Sequence, residues 1–484
     1  MKKCEDIIRN LKIKKTIGSL STTISGIYFD SRKVCPQSMY VAQKGIQHDG
    51  HVFIAMAIEK GAVCVVVEDM PQDINQSVTY IQVEDTSEAL GYLASSFYGN
   101  PSQKIKLVGI TGTNGKTTTV TLLQRLFIQL GYKVGLLSTI ENKINDTIIP
   151  STHTTPDAVT INQLLAKMCE EGCEYCFMEV SSHAIVQKRI SGLLFTGGIF
   201  SNITHDHLDY HKTFKEYIQA KKMFFDNLLS TAFALSNMDD ANGVVMLQNT
   251  KAPKTYYGLL NATADYKAKI NELDFHGMHL IVDNEDVWVT LTGVFNAYNL
   301  LAIYATARLL GINKTDALCG ISTLTSAEGR FNVFISDNDV IAIVDYAHTP
   351  DALQNVLNTI RKIQKPTQKL ITVVGCGGNR DKNKRPEMAK IANDLSSQLI
   401  ITSDNPRDED PEAIIADMMK GITNHEKVLT LVNREQAIKL AVRLADKRDI
   451  ILIAGKGHEK YQEIKGVKHH FDDVEIVKKY LSIN

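Results

Sequence analysis

The sequence predicts an α/β protein of three domains. These are an N-terminal α/β domain over 1–103, a central phosphate-loop parallel sheet over 104–331, and a C-terminal, Rossmann-like, doubly wound domain over 332–484. Three observations carry this. The 484 residues amount to about three domains at roughly 100–200 residues each. Apolar runs of strand length alternate with helix-periodic stretches twice, once after Ile105 and again after Asn332. That alternation is the mark of parallel sheets covered on both faces. A Gly-rich turn joins the first of those runs to the helix behind it.

In order, the first hundred residues mix short strands with turn signals and end in YGNPSQK, which reads as a linker. IKLVGIT (105–111) is a buried strand, followed by about four turns of helix ending at Gly131. KVGLLST, a helix through INQLLAKM, YCFMEVSS and FTGGIFSNI repeat the pattern. Residues 264–295 read as short alternating strands around Asn and Gly turns, an antiparallel insert, and 296–310 as a helix closing the domain. AEGRFN (327–332) marks the boundary. Beyond it VIAIVDYAH, KLITVVG, QLIITSDNP, KVLTLV and DIILIAG supply five strands of a doubly wound sheet.

Composition narrows the function. Lys+Arg number 53 and Asp+Glu 54, a net charge of −1, with 44% apolar residues. Neither a polybasic nucleic-acid binder nor an acidic disordered chain fits. Eight cysteines are too few for a disulfide scaffold. No apolar run approaches the about 18 residues of a membrane span, and MKKCEDIIRN has no apolar segment behind its basic residues. The expectation is a cytoplasmic, monomeric protein acting on small molecules, with no nucleic-acid partner.

The clearest motif is LVGITGTNGKTTT, which runs from strand through Gly-rich turn to helix. Gly112 and Gly115 permit backbone conformations closed to other residues, so amides from Gly112, Thr113, Asn114, Gly115 and the helix start can surround phosphate oxygens. Lys116 would neutralise the β- and γ-phosphates and the Thr117 hydroxyl would reach Mg²⁺, with Thr118 following. The strict consensus wants Gly where Ile110 stands. ATP or GTP binding follows; the use made of the phosphate does not.

TGTNGKTT, followed by EVSSHA, NITHDHLDYH, NMDD, GVFNAYN, GRF and DYAHTP, resembles the Mur ligase family across essentially the whole chain. The resemblance implies ATP-dependent amide formation through an acyl phosphate, in building the peptide of the cell-wall precursor. Within the family, DSRKV…GIQHDGH, GCGGNRDKNKRP (375–386) and DNPR (404–407) point to the branch that adds meso-diaminopimelate to UDP-MurNAc-L-Ala-D-Glu. A lysine-adding or folylpolyglutamate-type sibling, or a nucleotide-binding regulator without turnover, are the alternatives.

The same resemblance implies roles for individual residues. Glu179 and His207 join Thr117 as magnesium ligands, and a carboxylate suits that hard cation. HDHLDYH also looks like a zinc cluster, but no Cys or spaced His pair completes a tetrahedral site. Lys221 matches the lysine carbamylated by CO₂ to N6-carboxylysine; on the residues alone it reads as a solvated helix lysine, with Lys222 leaving the register open. Asn299, Arg330 and Asp345 match nucleotide-binding residues, with Asn296 and His348 as further candidates. Ser31 and His48 would meet the uridine end of the substrate, and Thr154, Thr155, Ser181, Gln187 and Arg189 its remainder. For diaminopimelate, Arg407 offers a fork for the distal carboxylate, Asp404, Asn405 and Pro406 share its loop, Glu459 with the Gly455 backbone would hold the distal ammonium, and Arg380 would take the other carboxylate.

Cys169, Cys173 and Cys176 spell CxxxCxxC, a pattern of iron–sulfur sites. Here the run enters a strand, where Cys176 should be buried, so no cluster is expected.

Overall fold

The computed structural model describes residues 1–45, 48–151, 153–206 and 208–483. Each of its three main sheets collects the apolar runs of one part of the chain. The N-terminal sheet has five strands, ordered Ile13–Ile17, Thr79–Val83, Ala62–Val67, Ser38–Val41 and Ile27–Tyr28, all neighbours parallel except the first pair. YGNPSQK is no loose linker. Pro101–Gln103 forms a 3-10 turn, Pro101 and Ser102 are buried, and Ser102 Oγ accepts from Leu194 N at 3.0 Å. Gly91 packs so closely on Ser191 that a Cβ would strike its carbonyl, which seats this unit against the segment carrying Gln187 and Arg189.

The central sheet has eleven strands. Its parallel core runs Val134–Leu137, Tyr175–Glu179, Lys106–Thr111, Gly197–Phe200, Phe233–Asn237 and Lys254–Gly258. The strands at 266–289 are antiparallel to one another as expected, but they are not an insert. Tyr266–Leu273 pairs in parallel with Lys254–Gly258 and extends the sheet. The cause is apolar alternation: Ala268, Met278, Leu280, Val287 and Val289 bury one face in the core that holds the helix Val294–Leu309.

The C-terminal sheet is ordered Asn332–Ile335, Ile341–Asp345, Ile450–Ala454, Leu370–Val374, Gln398–Thr402 and Val428–Leu431, parallel apart from the first strand. Cores lie on both faces, as a doubly wound sheet requires. Cys173 and Cys176 are buried, and among the described residues no group of three or more His, Cys, Asp or Glu is placed to hold a metal. Among those residues no helix is long and apolar enough to cross a membrane.

Candidate active site

Open α/β sheets gather ligands beyond the carboxyl ends of their strands, and the singled-out residues follow those ends. Past Thr111 the chain turns through Gly112 (φ 155°) and Gly115 (φ 86°) into the helix Lys116–Gln129. A side chain at Gly115 would collide with Asn299 Oδ1, so glycine lets that Asn close on the loop. Asn299 and Asn296 are both buried and bonded to each other, Nδ2 to Oδ1 at 3.1 Å. Asn299 lines the loop and Asn296 holds it from behind; neither is the surface residue usual for a helix Asn.

Within the loop, Asn114 N donates to Asn202 Oδ1 at 2.9 Å, and the Thr113 hydroxyl lies 3.2 Å from Tyr217 OH. Lys116 folds back, its Nζ donating to the carbonyls of Gly112 (2.9 Å) and Thr113 (2.8 Å). Burial lowers its pKa. Thr117 and Thr118 are buried in the first helical turn. Arg330 reaches in from the boundary segment, donating from Nη2 to Thr117 Oγ1 at 3.2 Å, with its guanidinium 4.7 Å from the Tyr346 ring centre. Its Nε is buried without a hydrogen-bond partner.

Lys221 is not solvated. It is 1% exposed, and its Nζ donates to Gly112 O at 2.8 Å and lies 4.6 Å over the Tyr217 ring. Burial, then the neighbouring Lys116 charge, holds its pKa well below the usual lysine range. Lys222 instead pairs with Asp226 at 2.7 Å, which resolves the register: Lys221 faces the loop. Glu179 ends its strand 1% exposed. Its Oε1 accepts from Thr139 N at 2.8 Å, while Oε2 is buried without a hydrogen-bond partner. An orphaned carboxylate oxygen near a phosphate loop fits a hard cation. His207 lies outside the described residues.

Around Glu179 a second group converges. Thr155 donates its hydroxyl to Glu179 O at 2.8 Å and accepts from Ser181 N at 3.0 Å. Thr154 Oγ1 accepts from the Thr139 hydroxyl. Ser181 caps its short helix. Arg189 donates to Thr155 O at 2.8 Å and, from Nη2, to Gln187 Oε1 at 2.7 Å. Ser31 and His48 follow neighbouring parallel strands of the N-terminal sheet, Ser31 buried and His48 exposed, with His48 O accepting from Gly45 N.

In the C-terminal unit, Asp345 is buried at its strand end and accepts from Phe331 N at 2.7 Å; burial lifts its pKa to about 6. His348 lies beyond it, exposed. Asp404 and Asn405 follow another strand end, both buried. Gly455 (φ 117°) follows a third, and a Cβ there would press on Asp404 Oδ2. Glu459 Oε2 accepts from Asn405 Nδ2 at 2.7 Å. Pro406 leads into Arg407 (φ 51°), which donates from Nη1 to Gly378 O at 2.7 Å with Nε 3.4 Å from Glu463. Arg380 is exposed on the loop that Arg407 closes against.

Among the buried cations that escaped the sequence reading are Lys456 and Arg385. Lys456 is fully buried among Asn405, Glu459 and Tyr461. Arg385 is 0% exposed and bridges Glu409 and Asp417, and Glu409 in turn accepts from Asn379 N at 2.6 Å. GKGHEK and KRP held both in plain view, but Asn405, Glu409 and Asp417, on which they close, come from other segments.

Three family descriptions match: "Mur ligase family, catalytic domain" over 23–98, "Mur ligase middle domain" over 110–307, and "Mur ligase, glutamate ligase domain" over 329–457. A Cytophaga hutchinsonii protein named UDP-N-acetylmuramoyl-L-alanyl-D-glutamate--2,6-diaminopimelate ligase is 57% identical over 480 residues, 99% of this chain and 98% of that one. Its namesake in Phocaeicola vulgatus is 54% identical, covering 98% and 99%. A solved structure bearing the same name superposes with a TM-score of 0.71 at 32% identity, covering 99% of both chains. A MurF ligase from Thermotoga maritima (18% identity, TM-score 0.61, 96% and 98% coverage) shares the fold.

Proposed function

The chain belongs to the Mur ligase family, and we propose that it adds meso-diaminopimelate to the D-glutamate γ-carboxylate of UDP-MurNAc-L-Ala-D-Glu, as a monomer in cytoplasmic peptidoglycan precursor synthesis. It is an ATP-dependent, amide-forming ligase. A carboxylate does not condense with an amine in water unaided. One carboxylate oxygen attacks the γ-phosphorus and ADP leaves; the amine then attacks the acyl carbon, loses a proton, and phosphate is expelled from the tetrahedral intermediate.

ATP would lie on residues 112–118, with Lys116 Nζ exchanging the Gly112 and Thr113 carbonyls for phosphate oxygens. Asn299 and Asp345 would hold the nucleoside, and Arg330 would spread its fork over the transferring phosphoryl group. Thr117, Glu179, His207 and a carboxylated Lys221 would hold Mg²⁺, and the partnerless Glu179 Oε2 supports that set. When bound, the cation offsets charge on the phosphoryl oxygens. Ser31 and His48 would meet the uridine end of the substrate, and Thr154, Thr155, Ser181, Gln187 and Arg189 the dipeptide side.

One observation supports the choice of amino acid: Arg407 follows the buried Asp404 and Asn405 on one loop, and Asn405 Nδ2 in turn holds the carboxylate of Glu459. Meso-diaminopimelate differs from lysine by one distal carboxylate, so its far end is a zwitterion. A cation beside two carboxylates suits such an end better than lysine's lone ammonium. Closure between units divided near residues 103 and 331 would keep water from the acyl phosphate. Mass analysis of the product tests the reading. A UDP-tripeptide ending in diaminopimelate, formed only with all three substrates present, is expected; its absence with ATP still bound would leave a nucleotide-binding regulator.

A further inference from the structure

We infer that Lys456 is the positioning residue of the amino-acid subsite, fixing Glu459 and Asn405 so that the carboxylate of Glu459 meets the distal ammonium. The inference rests on the proposed reading of Asp404, Asn405, Arg407 and Glu459 as that subsite. Lys456 is 0% exposed, and its ammonium donates to Asn405 Oδ1 (3.1 Å), Glu459 Oε2 (3.3 Å) and Tyr461 O (2.5 Å). All three of its donors are therefore used within the protein. Asn405 donates from Nδ2 to the same Glu459 oxygen at 2.7 Å, and its Oδ1 also accepts from Glu463 N at 2.9 Å. One oxygen of Glu459 is thus gripped from two sides, and Oε1 is left to a ligand. Asn405 serves as framework between Lys456 and Glu459 more than as a ligand contact.

The charges agree with this geometry. Asp404 and Glu459 against Lys456 sum to a single negative charge, the complement of one ammonium. A buried lysine is costly unless its neighbours use it, and here those neighbours are two subsite residues. The groups around Glu459 and Lys456 are Asp404, Tyr346, the Tyr461 ring (5.5 Å from Nζ), His458, Glu463 with its partner Arg407, and the buried Arg434–Asp473 pair. Burial and Asp404 raise the Glu459 pKa, while Lys456 opposes both. Without Lys456 the carboxyl rises further, and the ionised form that attracts an ammonium fades as pH falls.

The full-length enzyme carrying Lys456→Met, compared with native from about pH 6 to about pH 9, tests this. The KM for meso-diaminopimelate should rise about tenfold or more and improve as pH rises. The KM values for ATP and UDP-MurNAc-L-Ala-D-Glu should stay within about twofold. An unchanged diaminopimelate KM, or a uniform loss in all three substrates with the native pH profile, would overturn the inference. Should the Met variant not fold, Lys456→Gln keeps a neutral donor there and is read the same way. Native enzyme that does not consume diaminopimelate would instead overturn the substrate reading.

Discussion

Lys116 and Lys221, 105 positions apart in the chain, donate to one carbonyl oxygen, that of Gly112, at 2.9 and 2.8 Å. Two ammonium groups on one acceptor, one half-buried and one fully buried, repel, and the pKa of each is lowered chiefly by burial. A lysine that surrenders its proton easily is the nucleophile that CO₂ requires, and the resulting carbamate is an anion where a cation stood. Lys221→Ala should therefore lose most turnover, about 10²-fold or more, and short carboxylic acids should restore part of it. Full activity in the variant, or no recovery with added acids, would count against carboxylation.

Glu179 carries an oxygen with no partner and another bonded to Thr139 N. Glu179→Gln keeps an oxygen acceptor for that amide, removes the charge and replaces the partnerless oxygen with an amide nitrogen. The folded protein should melt within a few degrees of native, yet require about tenfold more Mg²⁺ for half-maximal phosphate release. A magnesium titration identical to native would remove Glu179 from the metal site.

Arg330 spans the boundary between units to reach Thr117 while lying over Tyr346. Arg330→Ala should lower kcat about 10³-fold. Arg330→Lys should recover little of it, because an ammonium lacks the planar fork that both contacts use. Comparable kcat in the Lys variant would show that charge alone suffices.

Asp345 has a pKa raised to about 6 by burial. A carboxyl that binds its proton more tightly when folded costs stability once ionised. That cost is present above about pH 6 and disappears as pH falls through the ordinary carboxylate range. Asp345→Asn, which still accepts from Phe331 N, should stabilise the protein by about 1–3 kcal/mol at neutral pH, while the KM for ATP rises. The native KM for ATP should also rise as pH drops below about 6. Denaturant melts paired with ATP kinetics decide it; a destabilised Asn variant would contradict the charge argument.

The strands of the central and C-terminal sheets were legible because parallel strands buried on both faces are continuous apolar runs, as in Lys106–Thr111 and Ile450–Ala454. The phosphate loop was legible because its chemistry is local, with Gly115, Lys116 and Thr117 adjacent. What stayed hidden depends on tertiary docking. Lys221 reads as solvated until its helix packs on a loop 109 residues away. Lys456 and Arg385 depend on partners contributed by other segments. The strands at 266–289 showed their period but not their neighbour, since nothing local says that Tyr266 pairs with Tyr257.

Phosphate release with ATP, Mg²⁺ and UDP-MurNAc-L-Ala-D-Glu, with meso-diaminopimelate or L-lysine offered in parallel to native enzyme and Arg407→Ala, tests the central claim most directly. Native enzyme should release phosphate with diaminopimelate and not with lysine, and the variant should lose about 10²-fold in diaminopimelate efficiency through a charge-assisted pair. Release with lysine, or an Arg407 variant as efficient as native, would contradict the assignment.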